Sequence, residues 1–187
     1  TVKGINIAEE KVSGITAGGN YRFDTDRMGR FNLGLDYNLT LEHTQTTFPG
    51  DPAFDVFSSG QALTAEFKSI VTGDIGWELG KWSANLHGIR YGSLPNYAKQ
   101  FQLTTSNGVG PGTVAPWILY NLSVDYNIAP NSTLSVIVNN LRNSEPPKDK
   151  SYDGSAGFAP PFYNIFAYNG YGRSWWLEYK INFGGSR

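Results

Sequence analysis

The chain has 187 residues, a formal net charge of −1 and no cysteine, and 14% of its residues are aromatic although only 17% are charged. A balance so close to neutrality argues against nucleic-acid binding, which needs basic residues to offset phosphate charge, and the lack of cysteine excludes thiolate metal sites and cysteine nucleophiles. No stretch approaches the roughly 18 apolar residues of a membrane-spanning helix, so any membrane must be spanned by strands.

Seven segments alternate between apolar and polar residues, a period-two pattern typical of strands with one apolar face. In chain order they cover residues 12–23, 30–42, 68–79, 82–91, 118–128, 133–140 and 173–183. The clearest alternates apolar residues from Phe31 to Leu41 with polar residues or glycine through Glu42. Several segments hold the pattern over about 10 to 13 residues, and a tilted strand crosses a bilayer in roughly 9 to 11. The sequence therefore predicts an all-β fold, a transmembrane antiparallel β-barrel segment of about seven strands.

The connections between these segments alternate in length. Short turns rich in Gly, Asp, Asn and Pro lie at 25–29, 80–81 and 129–131. Long connections rich in Gly, Pro, Ser and aromatic residues lie at 45–67, 92–115 and 141–172. Outer-membrane barrels have short periplasmic turns and long extracellular loops, with aromatic girdles near the strand ends. We expect the same sidedness here.

The odd number of predicted strands places the two ends of the chain on opposite sides of the membrane. With the short turns in the periplasm, the first strand starts outside the cell and the last one ends in the periplasm. A single-chain bacterial barrel has an even number of strands. We therefore expect residues 1–187 to be the C-terminal portion of a larger barrel, with the upstream strands absent from this chain.

Three segments carry a resemblance to a known family. They are Val-Ser-Gly-Ile at 12–15, Val-Asn-Asn-Leu at 138–141 followed by Pro-Pro at 146–147, and Tyr-Gly-Arg at 171–173 ahead of the alternating final strand. In order and spacing these segments resemble the C-terminal region of TonB-dependent outer-membrane receptors. Thr16 and Arg142 depart from that pattern, because the family usually has an acid and an aromatic or aliphatic residue there.

The resemblance implies a transporter of the bacterial outer membrane and not an enzyme, with this chain as the final part of a barrel of about 22 strands. Such receptors import a scarce large solute (a siderophore, haem, cobalamin or an oligosaccharide) with energy that TonB delivers to a plug domain, which is absent from this chain. The implied partners are the remainder of the receptor, TonB through the plug, outer-membrane lipid and lipopolysaccharide, and the barrel-assembly machinery. The resemblance implies neither a cofactor nor nucleic acid.

Two groups of residues are expected to carry function. Six aromatic residues of the last long connection could stack on a sugar or an aromatic chelate: Phe158, Phe162, Tyr163, Phe166, Tyr168 and Tyr171. Packing of these rings among themselves or against lipopolysaccharide is the alternative. The resemblance also implies that the barrel-assembly machinery reads the apolar side of the final strand, which carries Trp175, Leu177, Tyr179, Ile181 and Phe183.

Two other functions are weighed against transport. A complete small outer-membrane barrel, acting as an adhesin or structural protein, would need residues 1–9 as an eighth strand, and Gly4, Asn6 and the charged residues at 9–11 argue against it. An enzyme or a metal site would have to be organised around His43 and His87, which lie on different predicted strands without an acidic residue at ligand spacing. We therefore predict no catalytic residue and no metal site.

Overall fold

The structure, a computed structural model, describes residues 9–57, 66–154 and 161–183. In chain order its elements are β1 (Glu9–Thr25), β2 (Gly29–Thr46), β3 (Phe54–Asp55), β4 (Ser69–Leu79), β5 (Trp82–Tyr91), β6 (Leu94–Pro95), α1 (Tyr97–Gln100), β7 (Thr113–Val114), β8 (Trp117–Ala129), β9 (Ser132–Asn139) and β10 (Ser174–Ile181). In the described part of the chain, no helix is long and apolar enough to cross a membrane.

The seven long strands form one antiparallel sheet in the order β1-β2-β4-β5-β8-β9-β10, with β3 added to the end of β2. Strands β6 and β7 pair separately within the connection between β5 and β8. Every long strand therefore lies beside its neighbour in sequence, which confirms the all-β fold and the seven predicted strands. The predicted bounds differ at the ends, because β1 already begins at Glu9 and β10 ends at Ile181.

The register brings the apolar positions of all the long strands to one side of the sheet, which we call the apolar face. One row across five strands consists of Tyr21, Leu33, Ile75, Leu86 and Leu122. The adjacent row on the other side, the polar face, consists of Asn20, Gly34, Asp74, His87 and Asn121. A slip of one residue would reverse both faces of a strand, so the alternation in the sequence fixes the register.

Aromatic side chains line the apolar face near the short turns. The rings of Phe23 and Phe31 stack with centroids 5.2 Å apart, and those of Trp82 and Tyr126 lie 4.6 Å apart. The indole of Trp77 donates a hydrogen bond of 2.7 Å to a carbonyl of the β1–β2 turn. Such rings are amphipathic, and their grouping at this end of the sheet is what an aromatic girdle would require.

A β-bulge interrupts the alternation near the other end of β2. The register shifts between Ser13 and Gly14, and Leu41 has no partner on β1. Beyond the bulge, Glu42 lies opposite Ser13 and forms a 2.9 Å ion pair with Lys11. The prediction that Glu42 continues the polar face is therefore wrong, because the extra residue in β2 changes which side chains share a face.

The long connections cover the polar face at the end of the sheet opposite the short turns. Four buried side chains from different connections and strands form what we call the loop cluster: Phe67, Leu94, Trp117 and Tyr168. Further apolar side chains pack against it from the polar face of β4, β5 and β8 and from the last connection: Ile70, Tyr91, Leu119 and Ala167. The polar face is thus apolar where the connections rest on it.

Candidate functional site

The last two long connections are joined through the short helix α1. Asn96 caps this helix, with its side chain accepting a 3.0 Å hydrogen bond from the backbone N–H of Lys99. Asp149, from the last connection, accepts a 2.6 Å hydrogen bond from the N–H of Tyr97. Ser151 Oγ accepts another, at 3.1 Å, from the N–H of Ala98. One connection therefore satisfies the free N–H groups at the helix start of the other.

The joint between these connections is buried. Asp149 is 7% exposed and Ser151 is fully buried. The second carboxylate oxygen of Asp149 accepts from the N–H and from the hydroxyl of Ser151, at 2.9 and 2.6 Å. Since a buried carboxylate without such donors would be costly, these bonds fix the two connections relative to each other and give the end of the sheet a defined shape.

The five predicted loop aromatics among the described residues lie in different environments. Tyr168 is only 7% exposed, and its ring lies 5.6 Å from both Phe67 and Trp117. Burial, with a smaller contribution from the nearby Asp149 carboxylate, raises the pKa of Tyr168 to about 12. The side chain of Tyr168 is therefore part of the loop cluster and has little surface left for a solute.

The other loop aromatics have three different environments. Tyr163 lies under Lys148, whose ammonium is 5.9 Å from the ring centroid. The backbone of Phe162 exchanges hydrogen bonds with the buried joint, while Phe166 and Tyr171 are 65% and 84% exposed. Phe158 lies outside the described residues. Phe166 and Tyr171 thus have the most ring surface to offer a ligand.

A depression of ≈610 Å³ lies on the polar face where β8, β9 and β10 meet the last connection. We call it the mouth depression, and its lining is dominated by carboxamides, aromatic rings and one guanidinium: Asn121, Asn139, Asn140, Asn169, Trp117, Tyr171, Trp176 and Arg173. No carboxylate lines it among the described residues. Carboxamides both donate and accept hydrogen bonds, so this surface can bind polar groups that are neutral or negatively charged.

Asn140 sets the shape of the mouth depression at the end of β9. Its φ of 50° lies in the left-handed region, where asparagine is enriched among non-glycine residues. Its side chain closes the following turn, donating to the carbonyl of Ser144 at 3.0 Å and accepting from the N–H of Ser144 at 2.8 Å. Its own N–H donates to the Asn121 side chain at 2.9 Å. The second asparagine of the Val-Asn-Asn-Leu motif, Asn140, thus adopts a left-handed backbone and closes the turn after β9.

A second polar cluster, at His43, was not predicted from the sequence. The two ring nitrogens of His43 lie 2.6 Å from Glu66 and 2.7 Å from Glu10. The bulge in β2 and the return of the chain into β4 bring these three residues together. Neither feature can be recognised from the residues next to His43 in the sequence. Both ring nitrogens therefore lie within hydrogen-bond distance of a carboxylate. Among the described residues, no group of three or more His, Cys, Asp or Glu side chains is arranged so that it could hold a metal ion.

The residues predicted to be read during barrel assembly lie along the edge strand β10. Trp175, Leu177, Tyr179 and Ile181 share the apolar face with their β9 partners, and Phe183 follows the end of the strand. All five are exposed in this sheet, from 37% for Ile181 to 91% for Phe183. In the part of the chain that the structure describes, this edge strand therefore presents an apolar face together with backbone groups that no neighbouring strand pairs.

Comparison with known proteins identifies the sheet. A family model described as TonB dependent receptor-like, beta-barrel matches residues 2–141. Among solved structures, the chain is similar to the siderophore receptor PiuA from Acinetobacter baumannii, with 14% sequence identity and a TM-score of 0.47. The likeness covers 90% of this chain and 22% of the receptor, so the chain spans about a fifth of that protein. No curated protein sequence matches the chain.

Proposed function

Since this chain belongs to the TonB-dependent receptor β-barrel family, we propose that it forms part of the wall of an outer-membrane active transporter. The family consists of outer-membrane β-barrel receptors that act in transport and not in catalysis. The proposed activity is the import of a scarce large solute, a siderophore, haem, cobalamin or an oligosaccharide, with energy supplied by TonB. The proposed location of this chain is the bacterial outer membrane.

The observation that carries the proposal is the separation of the two faces across all seven long strands. Up to the bulge, the apolar face bears mainly aliphatic and aromatic side chains, whereas the polar face carries mainly amides and carboxylates except where the connections rest on it. A transmembrane barrel needs this arrangement, because its outside contacts hydrocarbon and its interior is polar. We assign the apolar face to lipid and the polar face to the lumen.

Both edges of the sheet need partners in a membrane. Among the described residues, β1 pairs only with β2, and β10 pairs only with β9. Backbone groups left unpaired in hydrocarbon cost several kcal/mol each. We propose that upstream strands of a barrel of about 22 strands pair with both edges, that a plug domain fills the lumen and contacts TonB, and that the barrel-assembly machinery engages the apolar side of β10.

We assign solute contact to the mouth depression. The long connections lie at the end opposite the turns, which in this family arrangement is the extracellular end. Tyr171 and Trp176 offer ring faces for stacking, and Arg173 offers donors to a negatively charged group. Phe166 is exposed on the same connection and is a further candidate, whereas Tyr168 supports the connection from within.

Uptake by the full-length receptor tests the proposal. Cells carrying it would be offered radiolabelled ferric siderophores, haem, cobalamin and oligosaccharides, with and without TonB. We expect TonB-dependent uptake of one class, and we expect Tyr171→Ala to weaken its binding about fivefold, since stacking on an aromatic ring contributes roughly 1 kcal/mol. Met28→Ala, an exposed change in the β1–β2 turn, is the matched control and should leave uptake unchanged.

Two results would contradict transport. One is the absence of uptake for every class by a receptor that is folded in the outer membrane. The other is a lone 20.6 kDa species that folds in detergent with β1 paired to β10, which would instead establish a small complete barrel acting as an adhesin or structural protein. Intact mass and the heat-dependent mobility of the purified protein distinguish these cases.

A further inference from the structure

Between the short turns and the bulge, the paired parts of the seven long strands carry a single charged residue on the apolar face. That residue is Arg90 of β5, which lies opposite Val71 on β4 and Ile118 on β8. The nearest residue on the same face of its own strand is Gly88. An arginine among aliphatic neighbours on a lipid-facing surface is unfavourable in a way that depends on its depth, so its position in the membrane matters.

Arg90 has no partner of its own among the described residues. None of the ion pairs, side-chain hydrogen bonds or cation–π contacts found there includes Arg90. By contrast, Arg30 lies on the polar face of β2 and forms an ion pair with Asp24 at 2.8 Å. A guanidinium keeps five donors and its charge at any physiological pH. The group on Arg90 is therefore free to bind an anion from the membrane.

The position of Arg90 along β5 corresponds to the level of lipid headgroups. Trp82 in the aromatic girdle and Arg90 are eight residues apart in β5, which at the strand rise is about 26 Å. A tilt of roughly 35–45° reduces that to about 20 Å along the membrane normal, close to the height of an apolar band of about 25 Å. Arg90 thus lies at the edge of the band on the side of the long connections.

A groove of ≈410 Å³ leads from Arg90 towards the middle of the apolar face. Its floor is backbone, because Gly73 and Gly88 lie directly opposite each other on neighbouring strands. Leu35 on one side and Tyr120 on the other form its walls. A Cβ on Gly88 would meet the Tyr120 ring at 3.3 Å, which shows that the ring leans over the glycine. Glycine within a strand weakens it and often marks a place where a ligand approaches the backbone closely.

We propose that this groove and Arg90 form a binding site for a phosphorylated lipid of the leaflet on the side of the long connections. The Arg90 guanidinium pairs with a lipid phosphate in the two-point geometry that arginine favours, and one acyl chain of the same molecule lies over Gly73 and Gly88. The inference rests on the proposed membrane position of the apolar face.

The dimensions favour a lipid chain over a protein segment. Strands β2 and β8, which carry the two walls, are three strand spacings apart, or roughly 14 Å between backbones. The side chains of Leu35 and Tyr120 narrow this gap further. A helix with side chains is about 10–12 Å wide and would not reach the glycine floor. A hydrocarbon chain fits there, and the charge at one end of the groove matches a phosphate.

The site is tested on the full-length receptor purified in mild detergent, by native mass spectrometry with added lipid A. Dephosphorylated lipid A is the second probe. Arg90→Gln removes the charge and keeps most of the length of the side chain. Gly73→Val fills the groove, and a Cβ at this position has only ordinary contacts at 3.7 Å or more. Arg22→Gln makes the same change in charge on the polar face and serves as the control.

The wild-type receptor should carry lipid A with about tenfold higher affinity than Arg90→Gln, since a hydrogen bond to a charged group is typically worth about 1.5 kcal/mol or more. Gly73→Val should weaken binding of both probes, whereas Arg22→Gln should match the wild type. Equal binding of lipid A by wild type and Arg90→Gln, or of both probes by wild type, would overturn the inference. If the receptor fails to insert into the outer membrane, the proposed function fails instead, so the two failures are distinguishable.

Discussion

The seven-stranded sheet and the connections that cover its end differ in where their polar groups find partners. In the sheet, backbone groups pair with the neighbouring strand, and side chains only decide which face is apolar. In the connections, buried side chains such as Asn96, Asp149 and Ser151 satisfy backbone groups of distant segments. The sheet tolerates exchange of one apolar residue for another, whereas the connections depend on individual polar atoms.

A charge on the apolar face tests the sheet side of this comparison most severely. Leu122→Arg places a guanidinium midway along the apolar face of β8 and should destabilise the membrane-embedded receptor by about 2 to 4 kcal/mol. Ser123→Arg, the next residue on the polar face, should cost less than about 1 kcal/mol. Urea unfolding in lipid vesicles measures both, and equal losses would contradict the assignment of the faces.

Removal of the Asp149 carboxylate tests the connection side. Asp149→Ala leaves the N–H groups of Tyr97 and Ser151 without their acceptor, at a local cost of about 2 to 3 kcal/mol. Amide hydrogen exchange at 97–100 should accelerate while the strands remain protected. The exposed neighbouring carboxylate in Asp153→Asn provides the control, and unchanged exchange in Asp149→Ala would show that the two connections are not joined through this residue.

Asn140 lies at the boundary between the two regions. Asn140→Ala should destabilise the end of β9 by about 1 to 2 kcal/mol, since alanine pays for the left-handed backbone and the bonds to Ser144 are lost. Asn140→Gly relieves the backbone cost and should recover part of the loss. Thermal unfolding of the receptor gives both values. If the glycine variant is no more stable than the alanine variant, the backbone conformation is not the cause.

The smallest effect is expected at Tyr168. Its raised pKa means that the neutral phenol is favoured in the folded state, so this contribution to stability is complete below about pH 10, the usual tyrosine value, and is lost as the pH rises to about 12. Tyr168→Phe should remove the pH dependence and change stability by less than about 1 kcal/mol at neutral pH. Tryptophan fluorescence between pH 9 and 12 reports the loss of packing around Trp117, which lies beside Tyr168. Identical pH profiles for the wild type and Tyr168→Phe would contradict this prediction.

The same difference explains how far the sequence predicted the structure. Alternation is local, so residues such as Phe31 and Leu33 identify the strand and its two faces without further information. The gathering of His43 with Glu10 and Glu66, and the burial of Tyr168, depend on a bulge and on connections that return from far along the chain. The helix α1 was not predicted, although asparagine is a common helix cap, and the sequence did not indicate that Asp149 would approach the start of this helix.

Spin-label accessibility along β8 is the most direct test that the apolar face contacts lipid. The chain has no cysteine, so single cysteines at each of residues 120–125 can be labelled in the full-length receptor once any cysteine elsewhere is replaced. In vesicles, labels at even-numbered positions should be relaxed mainly by oxygen, and labels at odd-numbered positions mainly by a water-soluble nickel complex. Accessibility without this alternation would contradict the placement of this chain in the wall of a membrane barrel.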